Sequence, residues 1–197
     1  MEVNIMLENL SKYSVVLASA SPRRRELLSE LGLNFMIRPA NVIEEYPNAL
    51  GMTAIPVFLS DLKAKALSSD MAADELIITA DTIVWKRGEV LGKPANREEA
   101  FQMLKSLSGS QHQVITGVTV LSKEKKRSFH AVTEVWFDEL TDEEINFYID
   151  KYQPMDKAGA YGIQEWIGFI GIYKIEGSFY NVMGLPVHKL YQTLKEF

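Results

Sequence analysis

Two periodicities alternate along the chain. The short apolar run at 13–19 (YSVVLAS) predicts a buried strand. A helix is predicted to start at Pro22, to carry Leu27, Leu28 and Leu31, and to stop at Gly32. Residues 34–38 predict a second strand. A helix is expected over 54–68, with Leu59, Leu62, Ala66 and Leu67 turned inward. The run at 76–85 (LIITADTIVW) is the strongest strand signal, with Arg87-Gly88 as a turn beyond its end. Asn96 with Glu99 has the spacing of a capping box, ahead of a helix bearing Phe101, Leu104 and Leu107 and closing near Gly109. Residues 114–121 and 128–140 read as the arms of a long hairpin around a charged turn at 123–127 (KEKKR), best understood as a solvated turn. Thr141 with Glu144 is a second capping box, opening a helix to about 151. The stretch 169–182 predicts another hairpin, turning at Glu176-Gly177, and Pro186 opens a terminal helix. Interleaved helices and hairpins predict an α/β fold with a mixed, strongly twisted sheet flanked by helices.

Composition sets the bounds on that picture. A chain of 197 residues is one domain, or two small lobes sharing a core. The apolar share of 47% and charged share of 24% are ordinary for a globular protein and argue against disorder. No run approaches the roughly 18–20 apolar residues of a membrane span. Residues 1–12, with Glu2, Glu8 and Asn9, lack the regions of a signal peptide, so a cytoplasmic location is expected. Cysteine is absent, which excludes disulfides, thiolate metal sites and a cysteine nucleophile. The net charge is −5 and the isoelectric point near 5.3, a poor match for a nucleic-acid polymer.

One segment runs against the acidic average. In Ser19-Ala20-Ser21-Pro22-Arg23-Arg24-Arg25, Ser21 is a good N-cap and Pro22 a good first helical residue. The first turn of a helix favours acidic residues, because its N-terminus carries about +0.5 charge. Three arginines stand there instead. An anion explains them: backbone N–H groups, the hydroxyls of Ser19 and Ser21 and the guanidinium groups would together cradle a phosphate. The alternative is a solvated helix start whose arginines pair with surface carboxylates. Residues 88–94 (GEVLGKP) imitate a P-loop but fail it, being one spacer short and having Pro94 where a hydroxyl should follow Lys93.

Asp81 interrupts an apolar strand, where a charge needs a partner or a ligand. It is either a structural carboxylate bonding a loop, or one that holds Mg²⁺ or acts as a general base. Thr82 beside it points to the opposite face if pairing is regular. Glu44 and Glu45 end another extended segment and read as surface when taken alone. Lys63 and Lys65 are individually bland. Lys93, fixed between Gly92 and Pro94, is a better candidate cation. In 156–164 (DKAGAYGIQ), small residues leave room for a ligand near the backbone. Lys157 there offers charge, and Gln164 an amide able to read a base edge. A close-packed turn is the alternative. His112, His130 and His188 show no ligand spacing and read as structural or surface. The aromatic residues read as core or rim, with no strip suited to single-stranded nucleic acid.

Taken together, LASASPRRRELL (17–28), ITADTIV (78–84), GEVLGKP (88–94), LSGSQHQVITGV (107–118), DKAGAYGIQ (156–164) and VMGLP (182–186) resemble the Maf nucleotide pyrophosphatases, also called septum-formation-inhibitor-like proteins. The resemblance runs from about Val15 to the C-terminus, with the motifs in family order. It implies a single domain over 1–197, with room for two lobes around a central cleft, and a fold related to the inosine triphosphate pyrophosphatases. It further implies a homodimer as the usual state, a divalent cation (Mg or Mn), and cleavage of a nucleoside triphosphate to the monophosphate and pyrophosphate. Position by position, Ser19, Ser21, Arg23 and Arg24 match the family's phosphate-binding turn, and Lys63 a lysine of the next helix. Glu44 matches its acidic residue, with Glu45 as a neighbouring alternative. Asp81 matches the residue treated as catalytic base, Lys93 the lysine of the GKP-type motif, and Lys157 and Gln164 the third motif. The metal would be held by Glu44 and Asp81. Arg23, Thr82 and Gln164 resemble the branch acting on dTTP and UTP rather than the one acting on 7-methyl-GTP. Two departures stand out: residues 1–12 precede the usual start, and Glu165-Trp166 follows Gln164 where a small residue is common. The readings left to compare are hydrolysis of dTTP and UTP, a nucleotide-binding regulator of cell division, and the same hydrolysis on 7-methyl-GTP or a non-standard purine triphosphate.

Overall fold

The computed structural model describes residues 5–197. Of the amino-terminal stretch read as lacking a signal peptide, residues 1–4, with Glu2, lie outside it. The sheet has seven strands: β1 (Ser14–Leu17), β2 (Phe35–Ile37), β3 (Glu75–Lys86), β4 (Glu89–Leu91), β5 (Gln111–Leu121), β6 (Lys126–Phe137) and β7 (Ile172–Glu176). Their order is β2-β1-β3-β5-β6-β7, with β4 pairing β3. β1 is parallel to β2 and β3, whereas β4 is antiparallel to β3 and β7 to β6, so the sheet is mixed as expected. Among the described residues seven α-helices accompany it: α1 (Pro22–Ser29), α2 (Ala54–Ser68), α3 (Arg97–Leu107), α4 (Asp142–Tyr152), α5 (Trp166–Gly171), α6 (Phe179–Met183) and α7 (Val187–Leu194). No helix among the described residues is long and apolar enough to cross a membrane.

The chain divides into two compact units. The first takes the described residues up to Asp81, together with Thr116–Ala131 and Gly184–Phe197; the second takes Thr82–Ile115 and Val132–Met183. In the first, Val15, Val16 and Leu17 of β1 and Leu76, Ile77 and Ile78 of β3 are buried, as are Leu27 and Leu28 of α1. Helix α2 follows its expected bounds and part of its expected face, with Leu67 packed against the core. It buries Ile55, Pro56, Leu59, Ser60, Lys63 and Ala64, while Ala66 is exposed. The buried stripe thus includes two polar residues, and both have partners. The Ser60 hydroxyl donates to the Val57 carbonyl and meets the Thr119 hydroxyl at 3.0 Å, while Lys63 reaches carboxylates. Those contacts let two polar residues share the buried face with apolar ones. Gly117 admits the helix, since a Cβ there would lie 2.2 Å from the backbone carbon of Pro56.

In the second unit, α4 carries the full capping box of Thr141 and Glu144. The box expected at Asn96 is only half present. Asn96 accepts from the Glu99 N–H at 2.9 Å, but the Glu99 carboxylate bonds the N–H of Ala95, one residue too early. The hairpin expected over 169–182 is not formed. β7 finds its partner in β6, and 179–183 turns helical. The Ser178 hydroxyl caps that turn, accepting from the Asn181 N–H at 3.3 Å, and two tertiary bonds from the buried Asn181 side chain, to the Val114 carbonyl and the Thr133 hydroxyl, both 3.0 Å, help hold it against the local strand preference.

His112 lies in this unit's core, its Nε2 2.7 Å from the Tyr161 hydroxyl, with the Phe137 ring against both. Its Nδ1 is buried with no hydrogen-bond partner among the described residues. A second ring proton would therefore sit unsolvated. Burial, helped by the charge of Lys86, pushes the His112 imidazole down to about 3. Between the ordinary value near 6.5 and that value, the unfolded chain binds the proton and the folded chain does not. Stability should thus fall as pH drops through this window, by up to about 1.4 kcal/mol per pH unit from this residue. Urea midpoints between pH 7 and 4 are expected to fall more steeply for the wild type than for His112→Gln; equal slopes would remove His112 as the cause.

Candidate functional site

Ser21 caps α1 as expected, its hydroxyl accepting from the Arg24 N–H at 3.4 Å, while the Ser21 N–H donates to the Ser19 hydroxyl at 3.2 Å. The two hydroxyls therefore build the turn itself. Arg24 has a second task that its sequence position did not announce. Its Nε donates to the Gly184 carbonyl at 2.9 Å and its Nη1 to the Ala80 carbonyl at 2.7 Å, with the Ser19 hydroxyl at 3.4 Å from Nη1. The guanidinium thus ties the start of α1 to the backbone immediately before Asp81 and to the turn that follows Met183. Part of the reason for an arginine at this helix start is internal bracing. Arg23 is half-buried and Arg25 exposed.

Asp81 is buried on β3, and α2 delivers Lys63 to it. The Lys63 Nζ lies 2.5 Å from Asp81 Oδ1 and 2.8 Å from Glu44 Oε1. One ammonium therefore joins two carboxylates that are 37 residues apart in sequence. This geometry separates the two candidate glutamates, since Glu44 is the one paired with Lys63. Burial raises the Asp81 carboxyl above the usual aspartate range, and the charges of Lys63 and Arg24 oppose that rise. No group of three or more His, Cys, Asp or Glu side chains gathers among the described residues. Two carboxylates on one point still suit a hard divalent cation. Mg²⁺ is commonly held by one or two protein carboxylates, with substrate phosphates and water completing the shell.

The second unit gathers a different set. Lys93 is exposed in the turn after β4, and that turn is joined to the Lys157 segment by a bond from the Gly159 N–H to the Gly92 carbonyl, 3.0 Å. The two glycine-rich turns, 65 positions apart at Gly92 and Lys157, are thus neighbours. Lys157 is buried, its Nζ 2.8 Å from Asp156 and 3.2 Å from Glu165. The Gln164 Oε1 is buried and has no hydrogen-bond partner among the described residues. Such an acceptor costs about 1–3 kcal/mol until a donor reaches it. Thr82 is half-buried on β3.

The structure therefore brings Ser19, Ser21, Arg24, Asp81, Lys63 and Glu44 into one connected group of the first unit, and the turns bearing Lys93 and Lys157 into another of the second. Sequence reasoning passed over Tyr148 and marked Glu165 only as a departure after Gln164; the contacts of both centre on the Lys157 segment. Tyr148 offered one signal, since a tyrosine at a buried helical position needs a partner for its hydroxyl.

Residues 14–197 match the family described as Maf-like protein. The chain is 59% identical over 193 residues to a dTTP/UTP pyrophosphatase of Parabacteroides distasonis, an alignment covering 98% of this chain and 100% of the relative. It is 57% identical over 192 residues to a dTTP/UTP pyrophosphatase of Bacteroides thetaiotaomicron, covering 97% and 100%. Among solved structures, a nucleoside-triphosphatase (dITP/XTP pyrophosphatase) of Mycobacterium abscessus aligns with 64% of this chain and 75% of its own, at a TM-score of 0.36 and 12% identity.

Proposed function

Because the chain belongs to the Maf-like protein family, we propose that it hydrolyses nucleoside triphosphates, dTTP and UTP foremost, to the nucleoside monophosphate and pyrophosphate. The observation that carries this reading beyond kinship is the buried Asp81, held by Lys63 beside Glu44 and braced through Ala80 to the Ser19–Arg24 turn. Asp81 accepts a proton from the water that attacks the α-phosphorus in line. The new P–O bond forms as the bond to the bridging oxygen breaks, and pyrophosphate leaves with that oxygen's electron pair. Lys63 holds the Asp81 carboxylate in place and favours its charged form. Arg23 and Arg24 supply positive charge at the phosphate turn. No side chain needs to become covalently attached, which agrees with the absence of cysteine and leaves Ser19 and Ser21 as turn-building ligands. Glu44 and Asp81 are the residues that would hold a divalent cation (Mg or Mn), whose chemistry when bound is to neutralise phosphate charge. By the family motifs they occupy, Lys93 is assigned to catalysis, Lys157 to binding the substrate, and Thr82 and Gln164, with Arg23, to base preference.

Gln164 supports the choice of base. Thymine and uracil each present an N3–H donor between two carbonyls, and the buried Gln164 Oε1 is an acceptor in want of a donor. We assign the protein to the cytoplasm as a homodimer; the exposed Phe169 and Ile170 of α5 and Tyr173 of β7, a strand at one end of the sheet order, support a surface for a second copy. The test is a panel of triphosphates with Mg²⁺ or Mn²⁺, scored by pyrophosphate release. Turnover of dTTP and UTP is expected to dominate, and Gln164→Ala should narrow their lead over other bases by roughly tenfold or more. No pyrophosphate from any nucleotide would sink the reading. A purine triphosphate in the lead would overturn the base assignment alone.

A further inference from the structure

Glu165 stands between two elements and serves neither in the ordinary way. It occupies the N-cap position of α5, yet its side chain makes no capping bond. Its backbone does the local work, donating to the Gly162 carbonyl at 3.0 Å and accepting from the Gly168 N–H at 2.9 Å. The carboxylate turns back over the preceding loop. Its Oε1 lies 3.2 Å from the Lys157 Nζ, and its Oε2 accepts from the Tyr148 hydroxyl. That hydroxyl in turn accepts from the Gly162 N–H at 3.0 Å. The carboxylate is pressed so closely on Gly162 that a Cβ there would lie 2.8 Å from its Cδ. One side chain thus reaches both ends of the 157–164 loop: the ammonium at its start and, through Tyr148, the backbone just before Gln164.

Exposure decides which carboxylate governs Lys157. Asp156 is the nearer, at 2.8 Å, but its side chain is 58% exposed and its attraction is screened by water. Glu165 is only 19% exposed and Lys157 8%, so this pair interacts through a medium of low dielectric. Tyr148 is fully buried on α4, a rigid support for the bridge.

We propose that Glu165 is a positioning residue for nucleotide hydrolysis, which fixes the Lys157 ammonium directly and the Gln164 amide through Tyr148 and Gly162. The inference rests on the hydrolase reading above and adds to it a residue that touches no reacting atom. It assigns two separable tasks to one carboxylate. Charge holds Lys157, and so governs how tightly the triphosphate binds. Shape and hydrogen bonding hold the loop, and so govern base preference.

The experiment compares wild type, Glu165→Ala, Glu165→Gln and Tyr148→Phe with dTTP, UTP and CTP, measuring kcat and KM separately together with the melting temperature. Glu165→Ala loses both tasks, and is expected to raise KM for dTTP about tenfold and to narrow the preference for dTTP over CTP about as much, with kcat changed far less. Glu165→Gln keeps a partner for Tyr148 but loses the charge, so KM should rise while the base preference stays. Tyr148→Phe should do the reverse, narrowing the preference with KM for dTTP moved less. A merely structural role would lower the melting temperature of these variants and leave KM and preference at wild-type values, which would overturn the inference. If Glu165→Ala does not fold, the opposed signatures of Glu165→Gln and Tyr148→Phe decide, and their coincidence would refute the division of tasks. A wild type that releases no pyrophosphate sinks the hydrolase reading and takes this inference with it; an active wild type with unaltered variants sinks this inference alone.

Discussion

Asp81→Asn is expected to lower kcat for dTTP by at least about 100-fold, the usual scale for removing a positioned base. The substitution keeps the size and planarity of the side chain and replaces a proton-accepting oxyanion by an amide. An amide cannot take the proton of the attacking water, nor can it balance a divalent cation. The position is well suited to the assigned role. Asp81 sits inside a rigid, buried strand, its preceding carbonyl is fixed by Arg24 at 2.7 Å, and its own oxygen is fixed by Lys63 at 2.5 Å. Little motion is left that would let another group substitute. Glu44→Gln should be milder in its effect on the fold, because the Glu44 side chain is 42% exposed and water can replace what it loses. The check is steady-state turnover of both variants at saturating dTTP, alongside their circular dichroism spectra. Near-normal turnover by folded Asp81→Asn would remove Asp81 from the chemistry.

Much of this group was legible in the sequence, and for one reason. A charge inside an apolar strand and three arginines on a helix start are both local contradictions, visible without any knowledge of neighbours. What stayed hidden was the answer to each contradiction, because the answers come from residues distant in the chain. Nothing local marks Lys63 as the partner of Asp81, since a lysine on an amphipathic helix ordinarily faces water. Here Lys63 is buried and paired with Asp81 and Glu44, while Ala66 is exposed. Nothing local marks the Ala80 and Gly184 carbonyls as acceptors for Arg24, because every residue has a carbonyl. The same limit explains 179–183 in part. Its aromatic and β-branched residues prefer a strand; the Ser178 hydroxyl that accepts from the Asn181 N–H is a local cap, but the bonds of Asn181 to Val114 and Thr133 come from distant residues. The caps at Thr141 and Ser21, which depend on neighbours in sequence, were read correctly, and the one at Asn96 by half. Glu165 was visible only as an odd residue after Gln164, and its reach to Lys157 and Tyr148 needed coordinates.

Lys63→Met should destabilise the fold by about 3–5 kcal/mol, the cost of leaving a buried carboxylate without its partner. The two side chains are each only 9% exposed, so solvent cannot take over the role of either. The ammonium's second contact, to the exposed Glu44, should add no more than about 0–1 kcal/mol. Burial already disfavours the charged form of Asp81, and removing Lys63 removes the main force opposing it. The cycle with Asp81→Asn makes this a sharp test. Asp81→Asn alone leaves the ammonium with Glu44 and an amide oxygen, and should cost less than Lys63→Met. Adding Asp81→Asn to Lys63→Met removes the stranded charge, so the double variant should be more stable than Lys63→Met alone. Urea unfolding of the four proteins at pH 7 gives the coupling directly, expected to reach about 2–3 kcal/mol for a pair in such close contact. Costs that add to within about 0.5 kcal/mol would show that the pair does not act as a unit in the fold, and would leave the burial of Lys63 without a cause. With coupling present, the sharing of one ammonium by two carboxylates has a direct reading. Lys63 is what allows Glu44 and Asp81 to stand together beside the turn proposed to bind phosphate.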